Sequence, residues 1–228
     1  MSGLLYVVAT PIGNYDDISL RALNLIRECD ILIVESFRET ARLLRHHGIK
    51  REMVQIDKNN EESDTPDLVM KIRTEELTAC LVSDCGTPLF ADPGTALVPM
   101  ALSFGIKVVP VPGPSSLMAA LSVNALNIQK FYYYGWLPQK TDERKTELYR
   151  LSKFRDVIVF LETPYRLQKL LAETAAAFGP GTQAELGYDI SLPSEKFYRG
   201  SLKHLSAQAQ KENLKGEFVL IVDNRNNR

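Results

Sequence analysis

The chain has 228 residues, 45% of them hydrophobic and 24% charged, which suits a soluble globular protein large enough for one big core or two modest ones. Its formal net charge of −1 argues against a uniformly basic coat for nucleic acid, although it leaves room for a local patch. No apolar stretch approaches the roughly 18 residues of a membrane span, Met1-Ser2-Gly3-Leu4 leads into a strand-like run without the charged and apolar regions of a leader, and Cys29, Cys80 and Cys85 lack CxxC spacing, so a cytoplasmic protein with free thiols, neither exported nor membrane-embedded, is expected.

From the N-terminus, short apolar runs alternate with helical patterns. Leu4 to Ala9 reads as a strand, Ile18 to Cys29 as a helix, Ile31 to Val34 as a strand, and Arg38 to His47, closed by Gly48, as a second helix. The series continues with Met53 to Ile56, a helix from Asp67 to Leu77, the strand Thr78 to Val82, a helix from Thr95 to Phe104 backed by Gly105, and Lys107 to Val111. Such alternation predicts a mostly parallel sheet with crossover helices. Pro110-Val111-Pro112-Gly113-Pro114 packs three prolines into five residues, which removes backbone donors, forbids continued pairing and makes a semi-rigid connector. The domain boundary is placed there, giving an N-terminal α/β domain at 1–112 and a C-terminal α/β domain at 113–228.

The second half has a different texture. A helix through Ser116 to Ala125 precedes an aromatic strand, Phe131 to Tyr134, the corner Gly135-Trp136-Leu137-Pro138, and a charged helix from Asp142 to Lys153. Val157 to Leu161 reads as a buried strand and Tyr165 to Phe178 as a helix ended by Gly179-Pro180. Glu185 to Tyr188, Lys196 to Tyr198 and Glu217 to Val222 read as strands of a mixed or antiparallel sheet. There are no repeats and no low-complexity tract.

The loop after the strand at Thr78 carries the most chemistry. Ser83-Asp84-Cys85-Gly86-Thr87-Pro88, followed by Asp92-Pro93-Gly94, sets a carboxylate and bare backbone where that strand ends, the edge at which open α/β sheets bind ligands. The first strand ends in Thr10-Pro11-Ile12-Gly13-Asn14, a tight turn without the GxGxxG of dinucleotide binders or the GxxxxGK[ST] of phosphate-binding loops.

These blocks together carry a resemblance. Leu5-Tyr6-Val7-Val8-Ala9-Thr10-Pro11-Ile12-Gly13-Asn14, Asp17-Ile18-Ser19-Leu20-Arg21-Ala22-Leu23, the Val82 to Gly94 stretch, and Val111-Pro112-Gly113-Pro114-Ser115 resemble, in order and spacing, motifs of the tetrapyrrole methylase superfamily. Within it the chain is most similar to the branch of small-subunit ribosomal RNA ribose 2'-O-methyltransferases. Gly135-Trp136-Leu137-Pro138, Phe160-Leu161-Glu162-Thr163-Pro164-Tyr165-Arg166 and Lys215-Gly216-Glu217-Phe218-Val219-Leu220-Ile221-Val222 extend the similarity along nearly the whole chain. The resemblance implies two α/β domains with S-adenosylmethionine folded into the cleft between them, and a homodimer. It implies cofactor contacts at Pro11, at Ser83, Asp84, Cys85, Gly86 and Thr87, at Ser115 and Ser116, at Leu161 and Glu162, and at Gly216. Dispersed polar partners suit that ligand, and its sulfonium favours a nearby carboxylate or carbonyl oxygens.

The chain departs from that branch in three places. Where the branch reads Glu-Asp-Thr-Arg after the second strand, this chain has Glu35-Ser36-Phe37-Arg38. Tyr188 to Glu195 replaces an Arg-Glu-Leu-Thr-Lys stretch, and the chain ends soon after Val222. A shorter subfamily with its own substrate is the expectation.

Arg38, Arg42 and Arg45 share one helix face that either grips phosphates of RNA or is a solvated surface whose basic end suits the helix dipole. Lys140, Arg144, Lys145 and Arg150, interleaved with acids, read as a solvated face. Tyr132, Tyr133 and Tyr134 read as strand packing, with Trp136 the exception. His46 and His47 are adjacent and His204 stands alone, so no metal is expected.

Methyl transfer from a sulfonium is an in-line displacement that needs alignment above all, and a ribose hydroxyl also needs a base or a charge that stabilises the developing alkoxide. Glu35 is the candidate for the base or orienting role and Arg38 for holding the substrate or Glu35 itself, with Tyr6 and Glu162 behind them. Two competing readings remain: methylation of a corrin or porphyrin precursor, and a non-catalytic module that senses S-adenosylmethionine.

Overall fold

The computed structural model describes residues 3–89 and 92–226, so the reading of Met1 and Ser2 falls outside the described residues. The chain divides into two compact units, Met1–Ser115 and Ser116–Arg228, each built on its own five-stranded sheet.

The first unit runs β1 (Leu4–Val8), α1 (Leu20–Glu28), β2 (Ile31–Val34), α2 (Phe37–His46), β3 (Val54–Gln55), α3 (Glu61–Thr74), β4 (Thr78–Val82), α4 (Leu97–Ser103) and β5 (Lys107–Val111). Its strand order is β3-β2-β4-β1-β5, and every neighbouring pair is parallel. The alternation of the strands sorts their side chains onto two faces. Val8, Leu32, Val34, Cys80 and Val82 pack against Ala22, Leu23 and Ile26 of α1 and Leu43 and Leu44 of α2. Leu5, Ile31, Ile33, Ala79 and Leu81 pack against Leu68, Val69 and Ile72 of α3 and Leu97 and Ala101 of α4. Each fully buried Leu or Ile among them contributes about 1.5–3 kcal/mol. Because β1 leads toward β2 while β4 leads across β1 toward β5, the two connections leave neighbouring strands in opposite directions. That reversal is a topological switch point, and it lies between the loops after β1 and β4.

The second unit runs α5 (Ser116–Ser122), β6 (Tyr132–Gly135), α6 (Thr141–Leu151), β7 (Val157–Glu162), α7 (Leu167–Phe178), β8 (Gln183–Tyr188), β9 (Lys196–Ser201), α8 (Leu202–Lys211) and β10 (Phe218–Asp223). The order is β6-β7-β10-β8-β9, with β6 parallel to β7 and the other pairs antiparallel. One face, carrying Ile158, Phe160, Leu186, Leu220 and Val222, is covered by Leu148 and Leu151 of α6, Leu167, Leu170, Leu171 and Phe178 of α7, and Leu202 and Leu205 of α8.

The α/β class with a parallel and a mixed sheet is as the patterning predicts, but three elements differ in instructive ways. Pro110 does not end pairing. It lies inside β5 opposite Val7, and β5 is the edge strand, so its missing N–H faces no partner. Helix α3 starts at Glu61 rather than Asp67 and carries Pro66 within it; Glu61, Glu62 and Asp64 in its first turn suit the positive helix end. It also stops at Thr74, because Glu76 turns into the left-handed region with φ +54. The helix after Ser116 ends at Ser122, short of Ala125.

Candidate functional site

At the switch point the loops after β1 and β4 are stitched together. Thr10 N–H donates to the Gly86 carbonyl at 2.8 Å and Gly86 N–H returns the bond at 3.0 Å, a two-residue antiparallel bridge. Thr10, itself buried, donates its hydroxyl to the Ser83 carbonyl at 3.0 Å. Gly86 holds φ +80, which glycine adopts without the cost a side chain would add. Thr87 ties the same loop to the Pro114 carbonyl at 3.3 Å, next to Ser115. Pro11, Ser83, Asp84, Cys85, Gly86, Thr87 and Ser115 thus belong to one connected set of loops, in which Cys85 and Thr87 are exposed and Pro11, Ser83 and Gly86 are buried.

Glu35 follows β2 on the same sheet edge. Its Oε2 accepts the main-chain N–H of Asp84 at 3.2 Å, and its carbonyl accepts from Gln55 at 3.0 Å. Asp84 Oδ1 is buried without a hydrogen-bond partner among the described residues. Burial, followed by the charges of Glu35, Glu39 and Asp92, pushes the Asp84 carboxyl up to about 6, against a smaller lowering by the Ser36 N–H. Asp92 rises to about 6 as well, from burial and then Glu35, opposed by Ser83 and Lys58. Three carboxylates therefore share one strand edge at a mutual electrostatic cost that a cationic ligand would relieve.

Arg38 is 77% exposed at its side chain, and the ion pair it makes is with Glu39 at 3.7 Å rather than with Glu35. Glu39 also takes Arg42 at 2.9 Å, whereas Arg45 has no acidic partner among the described residues. Beside Arg45 opens a cavity of about 390 Å³ floored by Ala41, Leu44, Ile49 and Met53, with Lys50 and Arg51 at its wall. The cluster in α6 is neutralised within the fold: Lys140 pairs with Glu143, Arg150 with Glu147, and Arg144 is buried against Glu173 at 2.6 Å.

In the second unit, Leu161, Glu162 and Gly216 lie at one edge of the mixed sheet, because β7 ends at Glu162 opposite the first residue of β10. Both Glu162 oxygens are engaged by its own loop, one by Thr163 N–H at 2.8 Å and the other by Arg166 at 3.1 Å, so the carboxylate braces that loop. Gly216 N–H donates to the Tyr188 hydroxyl at 2.8 Å, and a Cβ on Gly216 would run into the Asp189 carboxylate. Asp189 itself holds φ +48 and accepts the Ser194 hydroxyl at 2.8 Å. Burial and Asp189 raise the Glu217 carboxyl above its usual range. Trp136, 44% exposed, follows β6 on this edge, and Ser116 opens α5.

Sequence reasoning missed several supports of these loops. Glu61, buried at the start of α3, accepts main-chain N–H groups of Gly94, Ala96 and Leu97 on one oxygen and so holds the segment behind Asp92. Thr10 acts through Ser83, far along the chain, and the Asp189 carboxylate faces distant Gly216, for which no local pattern exists. Asp16, which sequence reasoning also missed, comes together with His46 and His47.

Residues 4–206 match the family model described as Tetrapyrrole (Corrin/Porphyrin) Methylases. Ribosomal RNA small subunit methyltransferase I of Xylella fastidiosa is 40% identical over 222 residues, covering 96% of this chain and 81% of that protein. The protein of the same name from Pseudomonas aeruginosa is 37% identical over 223 residues, covering 97% and 79%. Among solved structures, uroporphyrin-III-C-methyltransferase from Thermus thermophilus superposes with a TM-score of 0.67 at 20% identity, over 98% of this chain and 95% of that one, a likeness of fold.

Proposed function

The chain belongs to the tetrapyrrole (corrin/porphyrin) methylase family, and from that premise we propose that it is an S-adenosylmethionine-dependent methyltransferase acting on a ribose 2'-hydroxyl of small-subunit ribosomal RNA. The observation that carries this reading is the 40% identity, across 96% of the chain, to a protein named ribosomal RNA small subunit methyltransferase I.

The residues fit the cofactor's chemistry. Asp84 offers a buried oxygen without a hydrogen-bond partner among the described residues, and with Glu35 and Asp92 it makes an anionic edge that suits a ligand bearing a sulfonium and an ammonium. The proposed contacts are Pro11, the Ser83 to Thr87 loop and Ser115 of the first unit, and Ser116, Leu161, Glu162 and Gly216 of the second. Because the Glu162 carboxylate and the Gly216 N–H are already engaged, their contacts are assigned to other main-chain atoms. Bound S-adenosylmethionine supplies a methyl group on a good leaving group.

Glu35 is held by the Asp84 N–H with its other oxygen outside that bond, which leaves one oxygen to orient the ribose hydroxyl and take its proton. Such a base adds about 10² to 10⁴ in rate, beside the roughly 7–11 kcal/mol that alignment can supply. Arg38, extended into solvent at the start of α2, is assigned to a substrate phosphate, and Arg42 and Arg45 continue that face toward RNA. Among the described residues no helix is long and apolar enough to cross a membrane. Cytoplasmic residence and a homodimer belong to the same proposal.

The test is to incubate the protein with methyl-labelled S-adenosylmethionine and small-subunit particles from cells lacking its gene, then to map the label by nuclease digestion and mass spectrometry. Label on one ribose 2'-oxygen supports the reading. Confirmed cofactor binding with no label on RNA, or label on an added tetrapyrrole, overturns it.

A further inference from the structure

We propose that Asp16, His46 and His47, none of which is assigned to cofactor or substrate, form a site for one divalent transition-metal ion. His46 is the last residue of α2, His47 is its C-cap, and Asp16 is the middle residue of a 3₁₀ turn at Tyr15–Asp17. One ligand atom from each of the three lies within 4.8 Å of the other two.

The groups are fixed before any ion arrives. Asn14 Oδ1 accepts the Asp16 N–H at 3.1 Å and so sets the turn. His46 Nε2 stands 2.8 Å from Asp16 Oδ1, and His47 Nε2 stands 3.0 Å from the Tyr15 carbonyl oxygen. The Tyr15 ring packs on the His46 ring at 5.3 Å, and the two imidazoles meet edge to face at 4.8 Å. A carbonyl that orients a histidine ring is the usual outer support of a metal ligand. The C-terminal end of α2 adds the negative end of its dipole, which favours a cation. As a bare ion pair, the exposed His46–Asp16 contact is worth little.

Two imidazoles and one carboxylate select cobalt, nickel, copper or zinc over magnesium or calcium. Two ligands bound at about 2.1 Å lie about 3.0 Å apart when at right angles and about 3.4 Å apart in a tetrahedron. The 2.8 Å spacing of His46 and Asp16 is close to the right angle and favours cobalt or nickel with water in the open positions, whereas zinc requires the pair to open; the three ligand atoms, within 4.8 Å of one another, draw together by side-chain rotation to meet one ion. A bound ion would fasten the turn after β1 to the end of α2.

The experiment uses the full chain without a histidine tag, stripped by chelator, with Co(II) followed by visible absorption and Ni(II) by calorimetry. One ion per chain is expected, with the weak absorption of five- or six-coordinate cobalt. Affinity should fall by at least about tenfold in Asp16→Asn and be lost in the double variant His46→Ala/His47→Ala, while circular dichroism stays unchanged. If the double variant fails to fold, exposed His46→Gln carries the same expectation of weakened binding. No saturation below about 0.1 mM, binding that survives the histidine variants, or a thiolate-to-cobalt band that assigns the ion to cysteine would each overturn the proposal.

Discussion

Replacing Asp84 by Asn should stabilise the protein at neutral pH while weakening its hold on S-adenosylmethionine. The Asp84 carboxyl moves from its ordinary 3.8 to about 6, first through burial and then through Glu35, Glu39 and Asp92. Between these two values the folded chain keeps a proton that the unfolded chain has released. Stability therefore rises as pH falls through about 6, and above it the charged form works against folding. At about 1.36 kcal/mol per unit, a shift of about two units corresponds to about 3 kcal/mol for a fully shielded group. Asp84 is only part-buried, so solvent screening reduces this to about 1 kcal/mol. Asparagine keeps the shape and an acceptor for the Ser36 N–H. In urea unfolding at pH 8 the variant should gain about 1 kcal/mol, and the gain should fade through pH 6 and be gone below about 4, where both chains are uncharged at this position. Calorimetry on the same samples should show about tenfold weaker cofactor binding, about 1.4 kcal/mol. A variant less stable than wild type at pH 8, or a gain that does not change with pH, would refute the electrostatic account.

The remaining expectations concern supports and chemistry. Gly216→Ala should cost about 1–3 kcal/mol in urea unfolding, since its Cβ meets Asp189; Asp189→Gly in the same chain should recover part of this, because φ +48 suits glycine. Arg144→Ala leaves Glu173 buried without its partner and should cost about 3–5 kcal/mol, whereas joint replacement of both by Met should restore most of that stability in the same assay. Glu35→Gln removes one charge of the anionic edge and should weaken S-adenosylmethionine binding by calorimetry, while at saturating cofactor it should transfer methyl groups about 10² to 10⁴ more slowly in single-turnover assays; full transfer by the saturated variant would remove Glu35 from the chemistry.

Patterning reads the fold well where one local force decides. Ile31–Val34, an apolar run, and Lys107–Val111, four apolar residues behind a lysine, are too short for helices and match the observed strands residue for residue. Pro110 misleads because a proline's cost depends on whether its absent N–H had a partner. The edge position of β5 is a tertiary fact that no five-residue window contains. For the candidate site, the loop residues can be read from turn chemistry and a carboxylate at a strand end, but their coupling cannot. Glu35 meets Asp84 across 49 positions, and Thr10 meets Ser83 across 73. The raised carboxyls of Asp84 and Asp92 arise only when the ends of β2 and β4 converge. The same holds for Asp16 and His46, which are 30 positions apart.

The strand order of the first unit also constrains how the chain acquires its shape during synthesis. β1 and β2 are not neighbours; β4 lies between them and pairs with both. A nascent chain that has emerged only through α3 therefore holds β1 unpaired and β2 joined only to the two-residue β3, with no strand to bridge β1 and β2, and such bare edges are sticky. The Thr10–Gly86 bridge closes later still. Assembly of this unit is thus dominated by late, long-range closure, which slows folding and leaves the half-made domain dependent on shielding until residues beyond Gly86 have left the ribosome.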